Sequence, residues 1–292
     1  MIDARAEPSA FRILIQGVFF IHGTLDEVYI KSIELLKAIS KCMGFFWRAG
    51  GFIALASSAR LMMRDPRRQR RFSIGAVSRT AAGMLGGFDI RVRAVNLPSR
   101  PPAGKAFFVV ANHASDIDIP VLASVLPVVF LAAADVGETA FLGTLTRLGG
   151  IVFVERRRKS ELKTELEKIQ QVLEEGFDTA LFPEGHTSNG LSVQPFKSAL
   201  FQAAIDAEAL LLPVCINYLS VGGEPLSSAN RDQVLYYGDM GFTAHLRRLL
   251  AAGRIDVECR FLPPIPLAKG DSRKVICEKA RRAILEQHRP VR

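Results

Sequence analysis

From about residue 88 onward, the chain alternates between short apolar runs and amphipathic repeats. FDIRVRAV (88–95) alternates apolar and polar residues, as a half-buried strand does. Continuous apolar runs, which predict buried strands, follow at 105–112, 127–134, 149–154, 179–185, 210–218 and 256–262. Leucine and isoleucine recur every three or four residues in 158–176, which predicts a helix that Gly176 ends. Two more helices are predicted near 196–208 and 272–287.

This alternation predicts an α/β domain over residues 88–292, with a layered, mostly buried sheet flanked by helices. Residues 1–87 differ, because they are mostly apolar with basic residues at intervals, and RDPRRQRRF (64–72) is rich in arginine. No apolar run reaches the roughly 20 residues of a spanning helix. The pattern favours an N-terminal helical segment that lies in a lipid headgroup layer. A helical pair packed on the main domain, with a solvated basic loop, fits equally well.

The composition limits the kinds of partner that the protein is expected to bind. The 292 residues are 49% hydrophobic, enough for a large core, and 38 basic against 29 acidic residues give a net charge of +9. This charge favours a membrane surface or a nucleic acid as partner. We expect no nucleic acid, because the basic residues carry no recognition motif and are not interleaved with aromatics. The cysteines are widely spaced and the N-terminus lacks signal-peptide features, so we expect no metal site, no disulfide and a cytosol-facing location.

The stretch ANHASDIDIP (111–120) interrupts the apolar pattern with a histidine and two carboxylates. Pro120 fits only in a first helical turn, so a helix must begin near Asp118. On one unbroken helix His113 and Asp118 would stand about 140° apart, so they meet only if a loop runs into the helix. Asp118 would then hold one imidazole nitrogen and leave the other as a base, with Ser115 and Asp116 as turn and capping groups. A histidine in a plain strand-end hydrogen bond is the alternative that the spacing leaves open.

Four motifs resemble those of the glycerolipid acyltransferases, the family of the 1-acylglycerol-3-phosphate acyltransferases. ANHASDID has the NHxSxxD form of the first motif, and GGIVFVER (149–156) resembles the second. LFPEGHTSNG (181–190) resembles the third, and LLLPVCINY (210–218) echoes the fourth. They occur in the family's order between about residues 90 and 265, and the first eighty residues lie outside the resemblance.

The resemblance implies a mechanism and a set of site residues. His113 would be the general base that takes a proton from an acceptor hydroxyl, while Asp118 orients it. The acyl group would pass directly from a thioester of acyl carrier protein or coenzyme A, with no cofactor and no metal. The residues implied in substrate binding are Phe153, Arg156, Glu184, Gly185 and Pro213.

The chain departs from the family pattern at two places. The third motif usually reads FPEGTRS, and here His186 and Thr187 replace the threonine and the arginine. A lysine that the family often has between Ala132 and Gly143 is also absent. Each cation lost from a phosphate site removes a contact worth roughly 1.5–3 kcal/mol, so the head group is expected to be less anionic. The TSNG and FKSALF surroundings also resemble the branch that acylates lyso-ornithine lipid.

The sequence therefore predicts an O-acyltransferase of phospholipid biosynthesis that converts 1-acyl-sn-glycerol-3-phosphate to phosphatidic acid. Lyso-ornithine lipid is the alternative acceptor. A catalytically inactive lipid-binding protein at a membrane surface is the alternative of another class, and the intact His113 and Asp118 favour the enzyme. We expect a lysophospholipid or lyso-aminolipid acceptor, a thioester donor and an anionic membrane surface as partners. The expected location is the cytoplasmic face of the inner membrane, as a peripheral or monotopic protein.

Overall fold

The computed structural model describes residues 10–134, 140–154 and 161–292. The first helix, α1, spans Ala10–Met62. The described chain forms two compact units, of which the second spans Gly44–Arg292. The sequence analysis divides the chain at residue 87 instead. In the structure, residues 44–87 belong to the second unit, because Phe52 and Ala76 form an apolar cluster with Leu148.

The remaining helices flank a sheet. They are α2 (Pro66–Gly87), α3 (Asp118–Val125), α4 (Ala140–Leu148), α5 (Leu162–Glu174), α6 (Phe201–Asp206), α7 (Phe242–Ala251) and α8 (Arg273–Gln287). The strands are β1 (Ile90–Val95), β2 (Phe107–Ala111), β3 (Val129–Ala133), β4 (Val152–Val154), β5 (Thr179–Leu181), β6 (Leu210–Val221), β7 (Glu224–Pro225), β8 (Ile255–Phe261) and β9 (Ile265–Pro266).

The described strands form one sheet in the order β1-β8-β6-β2-β5-β3-β4, and β7 and β9 pair with the two ends of β6. Along this order neighbouring strands are parallel, except that β8 runs antiparallel to β6. In the middle of the sheet, Val109 of β2 is aligned with Ala180 of β5 and with Leu212 of β6. The carboxyl ends of β2, β3, β4 and β5 therefore share one edge, where open α/β sheets bind their ligands.

Both faces of the central strand are covered. Val109 and Ala111 belong to an apolar cluster with α2, α3 and α7, whereas Phe108 and Val110 belong to a second cluster with α5, α6 and α8. No residue of β2 is more than 3% exposed, which explains why the strand is a continuous apolar run. The predicted fold class, a layered α/β sheet flanked by helices, is confirmed.

Three helices differ from the sequence prediction, and one of them, α4, has no counterpart in it. The helix predicted near 196–208 is helical only over α6, because Lys197 donates its backbone N–H to the carbonyl of Pro183 at 2.9 Å and the preceding segment stays extended. The sequence analysis does not predict α7, although Phe242, Leu246 and Leu249 have helical spacing. Over the described residues, no helix has the length and apolar character that crossing a membrane requires.

Candidate active site

The loop between β2 and α3 carries a histidine–carboxylate pair at the carboxyl edge of the sheet. The predicted helix start is correct, since α3 begins at Asp118. The Nδ1 atom of His113 lies 2.8 Å from Oδ2 of Asp118, so the structure brings the two predicted residues together. We call these two residues the site pair. The side chain of Asp118 is completely buried, while that of His113 is 16% exposed.

Backbone donors fix the orientation of Asp118. Oδ2 also accepts the N–H groups of Ala114 at 2.7 Å and Ser115 at 2.9 Å. A carboxylate oxygen that accepts two N–H groups has no proton to donate, so Nδ1 of His113 must carry the hydrogen. The other ring nitrogen, Nε2, therefore has a free lone pair and is able to act as a base.

Tyr218 completes the surroundings of Asp118 from β6. Its hydroxyl donates to Oδ1 of Asp118, and the tyrosine is buried. Burial and the neighbouring Asp118 charge raise the pKa of Tyr218 well above its ordinary value. The phenol therefore stays protonated and remains a donor to the carboxylate at every pH at which the protein would work.

Asn112 ties the start of the loop to the same strand. Its amide Nδ2 donates to the carbonyl of Ile216 at 2.9 Å, and its Oδ1 accepts the Ile216 N–H at 2.8 Å. The side chain thus pairs with β6 just past the end of β2, where the backbone pairing of the two strands ends at Ala111 and Val214. Asn112 is 3% exposed, so both of its polar atoms are satisfied without water.

The third motif holds the backbone of His113 from the other side. Oε1 of Glu184 accepts the His113 N–H at 2.6 Å, and Oε2 accepts the Gln194 N–H at 2.9 Å. Ser188, in the same loop, donates its N–H to the His113 carbonyl at 2.9 Å. Glu184 thus positions the histidine through its main chain.

Burial changes the acidity of Glu184. The side chain is 1% exposed, and desolvation raises the pKa of Glu184 to about 7, although the N–H groups of His113 and Gln194 lower it. Within a site, a carboxyl with such a shifted pKa is a functional candidate that titrates near neutral pH.

Two features of the third motif shape the surface beside the histidine. The ring of Phe182 stacks on that of His113, with centroids 4.3 Å apart. Gly185 has φ +79°, and a Cβ there would lie 2.6 Å from Nζ of Lys197. The left-handed backbone favours glycine at this position, and the end of the lysine side chain lies where a Cβ would be.

A second histidine–carboxylate pair lies behind the same loop. Nε2 of His245, on α7, is 3.0 Å from Oδ1 of Asp116, and we call these two residues the inner pair. The side chain of His245 is completely buried, whereas that of Asp116 is 29% exposed. Within the described residues, Nδ1 of His245 has no hydrogen-bond partner.

The segment before α7 holds this loop as well. The hydroxyl of Ser115 donates to the carbonyl of Val234 at 2.6 Å. The N–H of Tyr236 donates to the carbonyl of Ala114 at 3.0 Å. Together with the inner pair, these bonds attach residues 114–116 to a region more than a hundred positions later in the chain.

Of the other predicted substrate-binding residues, the structure describes Phe153 and Pro213. Phe153 is in β4, aligned with Ala132 of β3, and is separated from β2 by two strands. Pro213 is buried within β6, aligned with Val110. Arg156 lies outside the described residues. Substrate binding by these residues stays a prediction.

Sequence analysis did not assign roles to Asn112, Tyr218, Gln194 or His245. Asn112 stands inside the first motif, which was a usable signal. Tyr218 ends the segment that echoes the fourth motif, whereas His245 has no local signal. Both contacts depend on how β6 and α7 pack against a loop that lies far away in the sequence.

Fold and site together define a class of protein: an α/β enzyme with a histidine–carboxylate pair at the carboxyl edge of its sheet. The family model described as Acyltransferase matches residues 90–217. A lyso-ornithine lipid O-acyltransferase of Brucella abortus is 35% identical over 68% of this chain and 77% of its own length. The chain belongs to the acyltransferase family, and the resemblance seen in the four motifs is confirmed.

Two further comparisons agree with this membership. A 1-acyl-sn-glycerol-3-phosphate acyltransferase of Neisseria meningitidis is 29% identical over 72% of this chain and 79% of its own length. The crystal structure of the 1-acyl-sn-glycerophosphate acyltransferase PlsC of Thermotoga maritima has a TM-score of 0.57 and 20% identity, and covers 88% of this chain and 97% of that one. This last likeness concerns the fold.

Proposed function

We propose that the protein transfers a fatty acyl group from a thioester to the hydroxyl of a lysophospholipid, with 1-acyl-sn-glycerol-3-phosphate as acceptor and phosphatidic acid as product. The observation that carries the proposal is the site pair, in which a fully buried, fully bonded Asp118 leaves Nε2 of a partly exposed His113 as the free base. The relatives named as 1-acyl-sn-glycerol-3-phosphate acyltransferases support this acceptor.

The reaction follows from the protonation state of the histidine. Nε2 of His113 takes the proton of the acceptor hydroxyl as its oxygen attacks the carbonyl carbon of the thioester. The carbon–sulfur bond then breaks, and the leaving thiolate takes the proton from Nε2. Asp118 stabilises the imidazolium that exists between these steps, because its carboxylate faces the Nδ1–H group. Positioned proton transfer of this kind contributes roughly 10²–10⁴-fold to the rate.

A lyso-ornithine lipid is the second candidate acceptor. The relatives named as lyso-ornithine lipid O-acyltransferases reach 35% identity, against 29% for the bacterial 1-acyl-sn-glycerol-3-phosphate acyltransferases. His186 and Thr187 also stand in the third motif where the arginine of the phosphate-binding pattern is expected. Both acceptors offer one hydroxyl to the same base, so the chemistry at His113 is unchanged.

The donor is a fatty acyl thioester of acyl carrier protein or of coenzyme A, and no other cofactor or metal enters the proposed reaction. Both donors are anionic, the first as an acidic protein and the second through its phosphates, and the net charge of +9 favours either one. A comparison of the two donors at equal concentration decides between them.

We place the reaction at the cytoplasmic face of the inner membrane, with the protein bound to its surface. In the second unit, one face of α1 is buried through Ala49, Phe52 and Ala56, while Trp47 and Leu61 are 83% and 87% exposed. Large exposed apolar side chains of this kind mark an interaction surface. Just after α1 the chain carries three exposed arginines, Arg64, Arg67 and Arg68. Their guanidinium groups would contact lipid phosphates.

Trp47 is the single tryptophan, so its fluorescence reports on this surface alone. Binding to vesicles that contain anionic lipid should shift its emission to the blue. Leu61→Glu should weaken sedimentation with these vesicles, whereas Val275→Glu, at an exposed apolar site on α8, should not. Equal binding by Leu61→Glu and the wild type would contradict the proposed surface.

Acyl transfer by the purified full chain tests the function. The donor is a labelled fatty acyl group carried as a thioester by acyl carrier protein or coenzyme A. Lysophosphatidic acid and lyso-ornithine lipid are tested in parallel as acceptors, and His113→Ala serves as control. Transfer to lysophosphatidic acid that is lost in the variant supports the first candidate. Transfer to the aminolipid alone supports the second. Vesicle binding without any transfer would instead favour an inactive lipid-binding protein, which the intact site pair argues against.

A further inference from the structure

Lys197 places an ammonium group beside the third motif. The residue lies in the extended segment before α6, where its backbone N–H donates to the Pro183 carbonyl at 2.9 Å. Its side chain crosses Gly185: a Cβ there would be 2.6 Å from Nζ, 3.3 Å from Cε and 3.4 Å from Cδ of the lysine. The bare face of the glycine is therefore the space that the lysine side chain occupies.

The ammonium group is available to a ligand. Lys197 is exposed, and within the described part of the chain its Nζ has no hydrogen-bond or ion-pair partner. Arg281 contacts the same segment but is engaged, since its Nε donates to the Gln194 carbonyl at 3.0 Å and its Nη2 to the Val193 carbonyl at 2.8 Å. An exposed cation that lies beside a glycine, with no ion-pair partner among the described residues, is suited to an external anion.

The position of this cation relative to the base is set by the chain itself. Gly185 follows Glu184, whose carboxylate holds the N–H of His113 at 2.6 Å. Ser188, three residues further, holds the carbonyl of His113 at 2.9 Å. The loop that supports the lysine is thus bonded on both sides to the histidine that faces the reacting hydroxyl.

On the basis of the function proposed above, we propose that Lys197 binds the anionic group of the acceptor head group and determines the preference for charged acceptors. In lysophosphatidic acid the phosphate is attached to the carbon next to the one that bears the reacting hydroxyl. When this hydroxyl lies at His113, the phosphate therefore lies close by. A cation that binds the phosphate must then also be close to His113, as Lys197 is through the third motif. The ligand class is a lysolipid with a phosphate monoester or carboxylate near its free hydroxyl.

Three acceptors and three variants of the full chain test this assignment. Lysophosphatidic acid carries a phosphate, lyso-ornithine lipid carries a carboxylate together with an ammonium group, and monoacylglycerol carries no charge. Lys197→Met removes the charge but keeps the length of the stem, and Lys197→Arg keeps the charge. Lys269→Met is the matched control, because Lys269 is an exposed lysine after β9 with no described partner. All are assayed in mixed micelles at fixed ionic strength.

We expect Lys197→Met to lower kcat/KM for the preferred acceptor, a lipid with a phosphate or carboxylate, by about 10-fold or more, chiefly through KM. Lys197→Arg should stay within about threefold of the wild type, and the preference for the anionic acceptor over monoacylglycerol should narrow only in Lys197→Met. An unchanged preference in Lys197→Met overturns the assignment, as does an equal loss in Lys269→Met. Absence of transfer by the wild type to every acceptor would instead refute the proposed function itself.

Discussion

The site pair and the inner pair contain the same two side chains in opposite surroundings. In each, an imidazole nitrogen meets a carboxylate oxygen, at 2.8 Å for His113 and Asp118 and at 3.0 Å for His245 and Asp116. The carboxylate is the buried member of the site pair, whereas the imidazole is the buried member of the inner pair. Which member reaches the surface decides whether the second imidazole nitrogen is able to meet a substrate.

The comparison shows that a histidine–carboxylate contact does not by itself make a base. Nε2 of His113 lies at a partly open face, next to the ring of Phe182. The corresponding free nitrogen of His245, Nδ1, is sealed inside the protein. We therefore interpret the inner pair as a support for the loop that carries the site pair, and matched substitutions in the two pairs test this interpretation.

Removal of each imidazole should give the largest contrast. His113→Ala should lower kcat by at least about 10²-fold, because it removes the proposed base, with little loss of stability. His245→Ala should lower kcat by less than about tenfold, yet reduce the free energy of unfolding by about 2–3 kcal/mol, because it leaves a buried cavity. Acyl transfer and urea unfolding measure both effects. Similar loss of activity in two equally stable variants would contradict the distinction.

Amide substitutions of the two carboxylates should give the next largest contrast. Asp118→Asn removes the charge that faces the imidazolium and sets an amide group against two backbone N–H donors, so kcat should fall by about 10²-fold. Asp116→Asn keeps an acceptor for His245 and should change kcat by less than about threefold. Circular dichroism of both variants shows whether they fold. The contrast is lost if Asp116→Asn is as inactive as Asp118→Asn.

Glu184 has no counterpart in the inner pair, and its titration sharpens the comparison. Its folded-state pKa of about 7 exceeds the ordinary 4.5, so the native protein holds a proton that the unfolded chain loses between these values. This contribution to stability is fully present below pH 4.5 and is lost as pH rises through about 7. At roughly 1.4 kcal/mol per pH unit, its upper limit is about 3–4 kcal/mol.

Glu184→Gln removes the titrating group, so the stability of the variant should lack this component. Unfolding by urea at pH 5 and pH 8 gives the measurement, with the wild type losing more stability than the variant on going to the higher pH. The same change in both proteins would show that Glu184 does not titrate in this range.

Tyr218→Phe should give the smallest effect. The hydroxyl donates to Oδ1 of Asp118. Its loss should cost about 1–2 kcal/mol of stability and lower kcat by less than about tenfold, since the backbone donors to Asp118 remain. Cys259→Ser, a buried substitution in the adjacent strand β8, serves as control. Full activity and full stability in Tyr218→Phe would mean that the backbone donors alone hold the carboxylate.

Much of the site was predictable from local sequence. The apolar run of β2, the start of α3 at Asp118 and the contact of His113 with Asp118 depend on residues close in the chain, where proline and strand patterns carry information. The boundaries of β6 at 210–218 were also close to the observed Leu210–Val221.

The supports of the site were not predictable, for a physical reason. The partners of the loop come from strands and helices whose register is set by packing over the whole sheet, as for Asn112 with Ile216 and Asp116 with His245. The extended conformation near Lys197 likewise depends on a bond to Pro183 in the third motif, which overrides the helical pattern seen at 196–208. No property of the single segment reports such pairings.

The distance along the chain between the loop and its supports also sets an order for synthesis. Asp116 is made before its partner His245, which follows 129 residues later. At a ribosomal speed of 5–20 residues per second, the time between the synthesis of the two residues is roughly 6–26 s. During that interval β4, β5 and β6 are made, whereas β8 follows only after His245. The loop that carries the site pair therefore receives its contacts with residues 234–245 late in synthesis, when β8, β9 and α8 are still to be made.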